Sequence, residues 1–165
     1  VRGLIALDRA VGATLRAVTV GCLTGLFVLL FVNVVARTLR FSGFAWFDEI
    51  VQGLFAWMVF VGAAALWRER LHFRVDWIDG IAGRGRGGAA FAAALALLSL
   101  VFPVAMTVYG LDLTLRSRAL TPILDLPVGL FYAVIPLSGM VMTAYSLRDL
   151  VQAARNLTAP QKDSA

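Results

Sequence analysis

Asp48 and Glu49, with Gln52 about one turn further on, form the densest group of polar side chains inside an otherwise apolar stretch. Two carboxylates do general acid/base work when they face one another across a substrate, but neighbours on a helix point about 100° apart. The pair therefore reads as a charged helix start rather than a catalytic dyad. Other chemistry has still fewer parts. His72 is the one histidine, which excludes a bis-histidine haem or a histidine metal cluster within a single chain. Cys22 is the one cysteine, so no intramolecular disulfide can form, and its place inside an apolar run suits a small packing residue. There is no GxSxG, HExxH or CxxC motif and no phosphate-binding glycine loop. The sequence predicts a protein without catalysis, cofactor or metal.

The elements that must position these residues follow from composition. Hydrophobic residues make up 60% of the 165, and the charges gather in short clusters between long apolar stretches instead of recurring at helical spacing. Crossing a bilayer core takes about 20 residues at about 1.5 Å each. Four stretches satisfy this, 17–36, 47–67, 89–111 and 128–147. The expected fold class is all-α, an integral membrane protein of four transmembrane helices in a single membrane domain over residues 1–165. The first stretch is long for the apolar region of a signal peptide and ends at Arg37 without a clear small-residue cleavage site, so a retained helix is expected.

The net charge of +5 is explained by the cytoplasmic bias of arginine and lysine, without a nucleic-acid partner. Eleven of the 15 basic residues lie before the first span, between the second and third, or after the fourth; Arg37, Arg40, Arg116 and Arg118 lie on the other side. That asymmetry predicts cytoplasmic termini, a multi-pass topology, and basic residues against membrane lipids. Ahead of the first span, Leu4, Leu7, Val11 and Leu15 share one helical face, and Arg2, Arg9 and Arg16 share another. Two placements fit this pattern, an amphipathic helix lying in the membrane interface or an extension of the first span.

Further features concern packing. Gly21 and Gly25 form a GxxxG pair that would let a second helix come close, a pattern that also arises by chance in membrane helices. Arg37 and Arg40 are the natural partners for the polar entrance of the second span. The run Gly83-Arg84-Gly85-Arg86-Gly87-Gly88 reads as a flexible basic turn, and Pro103 and Pro136 are expected to bend their spans.

From Asn33 to Asp79 the sequence resembles the DctQ-type small membrane subunit of tripartite ATP-independent periplasmic (TRAP) transporters. The resemblance rests on an ordered set. Arg37 closes the first helix, and Trp46-Phe47-Asp48-Glu49-Ile50 opens the second. Phe60-Val61-Gly62-Ala63-Ala64 then ends the apolar run, and Arg68-Glu69-Arg70-Leu71-His72-Phe73-Arg74-Val75-Asp76 follows. Asp48 stands where the family more often has glutamate, which keeps the charge.

The resemblance implies a four-helix subunit in the bacterial inner membrane that braces a large multi-span permease subunit. That partner carries the sodium and substrate sites for uptake of an organic acid delivered by a periplasmic solute-binding protein. It further implies structural or partner-contacting roles for Arg37, Trp46, Asp48 and Glu49 at the periplasmic end and for His72 and Asp76 at the cytoplasmic end; Gln52 joins the first group on the polarity of the second span's entrance. Two other classes compete: a stand-alone oligomeric channel, for which no span has a continuous polar stripe, and a membrane anchor of an enzyme complex, which would carry a visible cofactor.

Overall fold

The computed structural model describes residues 2–40, 44–69 and 86–158. Among the described residues five helical segments follow one another: α1 (Arg2–Thr38), α2 (Phe47–Arg68), α3 (Arg86–Arg116), α4 (Val128–Tyr132) and α5 (Val134–Thr158). Among these residues four apolar spans are long enough to cross a membrane, with α4 and α5 together making the fourth. The seam between those two falls at Ala133, three residues before Pro136. The proline ring occupies the place where an N–H would reach the Tyr132 carbonyl. Ala133 keeps helical dihedrals, and bonds from Ala133 N–H to Gly129 O (2.8 Å) and from Leu137 N–H to Ala133 O (3.3 Å) carry the helix across. At Pro103, by contrast, α3 continues uninterrupted.

The 37 residues of α1 make a helix about 55 Å long at about 1.5 Å per residue, well beyond a hydrocarbon core of about 30 Å. The N-terminal segment is therefore the extension, and the separate interfacial helix is not formed. A helix lying flat would have to break near Ala17, whereas the ladder there is unbroken and Asp8 and Arg16 are tied to the end of α2. Of the basic glycine run, Arg86, Gly87 and Gly88 already belong to α3, and Gly83, Arg84 and Gly85 lie outside the described residues.

In space the main order is α1, α2, α5, α3, with α4 continuing α5. Gly53 lies against Phe131, while Trp67 reaches Ser146, so α2 and α5 run side by side in the same direction. Gly110 meets Ile135 and Pro136, and Gly139 meets Thr107, so α3 runs antiparallel to α5. A Cβ on Gly139 would lie 2.9 Å from the Thr107 backbone nitrogen and 3.1 Å from the Pro103 carbonyl oxygen, which shows how closely these two backbones approach. The start of α1 and the ends of α2 and α5 meet at one end of the bundle, called here the terminal end. Residues 39–40, 44–46 and 117–127 lie at the other, the loop end.

The interior is small. Ala64, Trp67 and Met142 are buried together, with Leu15, Met106 and Tyr145 packed around them. The outward faces are apolar and bare, including Phe27 and Phe31 on α1 and Leu98 and Val101 on α3. A water-soluble protein does not expose so much apolar surface; the solvent these faces suit is lipid or another apolar protein. A Cβ at Gly21 would meet nothing within 4 Å and one at Gly25 only the Leu54 side chain at ordinary distance, so among the described residues the GxxxG pair brings no other helix into close approach.

Candidate functional site

Among the described residues, polar side chains from different elements meet in two clusters, one at each end of the bundle. At the loop end, Glu49 occupies the first turn of α2 and is buried although it is an acid. Its carboxylate turns away from its own helix and accepts N–H groups from Ile123 at Oε1 (2.7 Å) and Leu124 at Oε2 (3.0 Å), with a further hydrogen bond from Thr121. Both oxygens are thus occupied by the loop between α3 and α4, with backbone donors supplying the compensation that a buried carboxylate requires.

That loop is prepared to receive it. Leu120 and Pro127 pair as an isolated antiparallel bridge, the Thr121 N–H donates to Leu126 O (2.9 Å), and the Leu126 N–H donates to Thr121 Oγ1 (3.1 Å). Asp125 takes a positive φ of 50° to close the turn, a conformation that aspartate tolerates better than most residues. The Ile123 and Leu124 N–H groups at its tip then converge on one anion. One turn further along α2, Gly53 leaves room for the Phe131 ring, which a Cβ would approach to 2.5 Å. Glu49 and Gly53 together seat the loop and the start of the fourth span on α2.

The expected partnership of this polar entrance with Arg37 and Arg40 is not the one observed. Among the described residues no hydrogen bond or ion pair joins either arginine to Glu49, because the loop's N–H groups already take the carboxylate. Arg37 lies exposed on the last turn of α1, and Arg40 sits just beyond it in the left-handed region with a φ of 61°. Asp48 and Gln52 are exposed. Trp46 is half-buried at the helix start with its ring 5.5 Å from that of Phe44. His72 and Asp76 lie outside the described residues.

At the terminal end, Arg68 and Asp8 form a two-pronged ion pair, Nη2 to Oδ2 at 2.6 Å and Nε to Oδ1 at 3.1 Å. The Tyr145 hydroxyl donates to the same Asp8 Oδ1 at 2.7 Å, so three helices converge on one carboxylate. Gly12 makes this possible, since a Cβ there would run into the Arg68 guanidinium. Arg16 pairs with Glu69 just outside, and the buried Trp67 indole N–H donates to Ser146 Oγ at 2.9 Å. The sequence reading placed Arg68 in a basic motif but missed Asp8, Gly12 and Tyr145. The single signal for them was Asp8, the one acid in a first helix whose other charges are all arginines.

Chemically, both clusters join parts of the chain. Neither has two acids facing one another, and no group of three or more potential metal ligands occurs among the described residues. A polar group that enters a membrane span must find a partner, and here α2 supplies one at each end. The comparisons agree with such a membrane component. The family model of the tripartite ATP-independent periplasmic transporters, DctQ component, matches residues 26–156, a stretch holding Glu49, Arg68 and Tyr145 while leaving Asp8 and Gly12 ahead of it. No curated protein matches the chain. With four apolar spans and a match over most of its length, the chain belongs to the DctQ family, the multi-pass small membrane component of TRAP transporters, which is not an enzyme.

Proposed function

We propose that this chain, as one membrane domain over residues 1–165, is the rigid brace of its transporter. In this reading it packs against the static part of a large, sodium-coupled permease subunit that takes up an organic acid delivered by a periplasmic solute-binding protein. The observation that carries the reading is the use made of its polar groups. Glu49 is spent on the chain's own loop, and Asp8, Arg68 and Tyr145 on one another, while the long apolar sides of α1 and α3 face outward. A subunit that stiffens a moving partner needs internal cross-links at both ends and apolar flanks to embed, and these residues supply both.

The same proposal places the terminal end in the cytoplasm of a bacterial inner membrane and the Glu49 loop in the periplasm. Support comes from the excess of basic residues in the segments that join or follow the terminal end. Arg37, Trp46, Asp48 and Gln52 then lie with Glu49 at the periplasmic end. There they are contact residues for the large subunit or the binding protein, and His72 and Asp76 take that part on the opposite side.

The deciding experiment is affinity purification of the chain, tagged at its C-terminus, from native membranes in mild detergent. A large multi-span protein recovered in stoichiometric amount is expected, and Glu49→Gln lowers both its yield and solute uptake. Recovery of the chain only with itself would overturn the reading and direct attention to ion conductance.

A further inference from the structure

We infer that the apolar groove between α3 and α5, continued along the face of α5 to Arg148 and Arg155 at the terminal end, is a binding site for one anionic phospholipid. The groove has an apolar upper part formed by Val104, Val108, Met140 and Leu147. Ala144 and Leu147 continue into a lower part, a depression along α5 itself, whose rim carries Arg148, Gln152 and Arg155. An acyl chain fits the first and a phosphate the second, in the order that a lipid presents them.

The height of the two arginines agrees. The fourth apolar span ends at Gln152, so Arg148 and Arg155 lie about a turn to either side of the boundary where headgroups begin. Arg148 is also held in place. Its guanidinium carbon stands 5.0 Å from the centre of the Tyr145 ring, and the hydroxyl of that ring is fixed by Asp8. Nε leans on Asp149 at 3.4 Å, while the side chain as a whole remains 49% exposed. A guanidinium already oriented by a ring loses less freedom on meeting a phosphate than a loose one does.

Charge complementarity selects the occupant. A neighbouring protein helix would be served by the apolar floor alone, and a zwitterionic lipid brings a cationic group to a cationic rim. An anionic lipid such as phosphatidylglycerol satisfies both parts. The assignment concerns the groove itself and holds whichever protein the chain braces.

The test is native mass spectrometry of the full chain, released from nonionic detergent after equilibration with phosphatidylglycerol and phosphatidylcholine at equal mole fraction. Phosphatidylglycerol is expected to be retained in excess. Arg148→Gln should cut that retention about fivefold, the factor for one arginine at a membrane surface. Ala144→Trp, which fills the groove and leaves every charge in place, should reduce it as well. Arg116→Gln makes the same charge change at the loop end and should leave it unaltered. Equal retention of the two lipids, equal losses in the Arg148 and Arg116 variants, or full retention by Ala144→Trp would each overturn the assignment.

Discussion

The two ends of the bundle solve one problem with different materials. At the loop end, one carboxylate grips backbone N–H groups, and the geometry depends on the shape of a folded loop. At the terminal end, an acid, an arginine and a tyrosine from three helices grip one another, and the geometry depends on where long side chains settle. Glu49 is buried, whereas the Asp8 side chain is 40% exposed and that of Arg68 17%. Buried bonds to a charge are expensive to lose, while a partly exposed ion pair is screened and loses less. The loop end should therefore behave as a latch, formed or broken, and the terminal end as an adjustable clamp.

Substitutions on the two sides can separate these behaviours, beginning with Glu49→Ala. This leaves the Ile123 and Leu124 N–H groups without their acceptor, and the loop should open: a cysteine placed at Ile123 should react with a polar maleimide at least about tenfold faster than in the parent. An unchanged rate would mean that the loop holds itself. Next in size is Gly53→Val, which drives a branched side chain into the Phe131 ring and should cost about 1–3 kcal/mol, read as a lower melting temperature in detergent. Gly12→Ala is its counterpart at the other end. It meets only the movable guanidinium of Arg68 and should cost less than the Gly53 change, so equal costs would erase the distinction between latch and clamp.

Smaller again is the Asp8 and Arg68 pair. A double-mutant cycle with Asp8→Asn and Arg68→Gln should return a coupling of about 1 kcal/mol, reduced by added salt because Asp8 is exposed. A salt-independent coupling several times larger would make the clamp as rigid as the latch. Smallest of all is Arg16→Gln, since the Arg16 side chain is 66% exposed and its pairing with Glu69 should contribute no more than about 0.5 kcal/mol.

How far these clusters could be read beforehand differs in the same way. Glu49 stood out because an acid at the start of an apolar span calls for a partner. The partner chosen from chain proximity, Arg37 or Arg40, was wrong. The true one lies 74 and 75 residues away and consists of backbone N–H groups, which every residue but proline carries and which therefore leave no mark in a sequence. The Arg68 pairing is hidden for a related reason. Asp8, Arg68 and Tyr145 are separated by 60 and 137 residues, and nothing in their types states which of many charges will meet. The glycines followed the same rule: Gly21 and Gly25 had the motif, whereas Gly53, Gly110 and Gly139 have the contacts.

By itself the sequence determined the helical class, the four spans and the family resemblance. Apolar length and the types and order of nearby residues are local properties, and the cost of exposing backbone in lipid leaves a long apolar segment little choice but a helix. Tertiary structure alone decided the order α1, α2, α5, α3, the upright N-terminal half of α1, the latch on Glu49 and the clamp on Asp8. These depend on which faces pack and which distant polar groups become neighbours, and lipid presses equally on every apolar face, so hydrophobicity cannot choose among them.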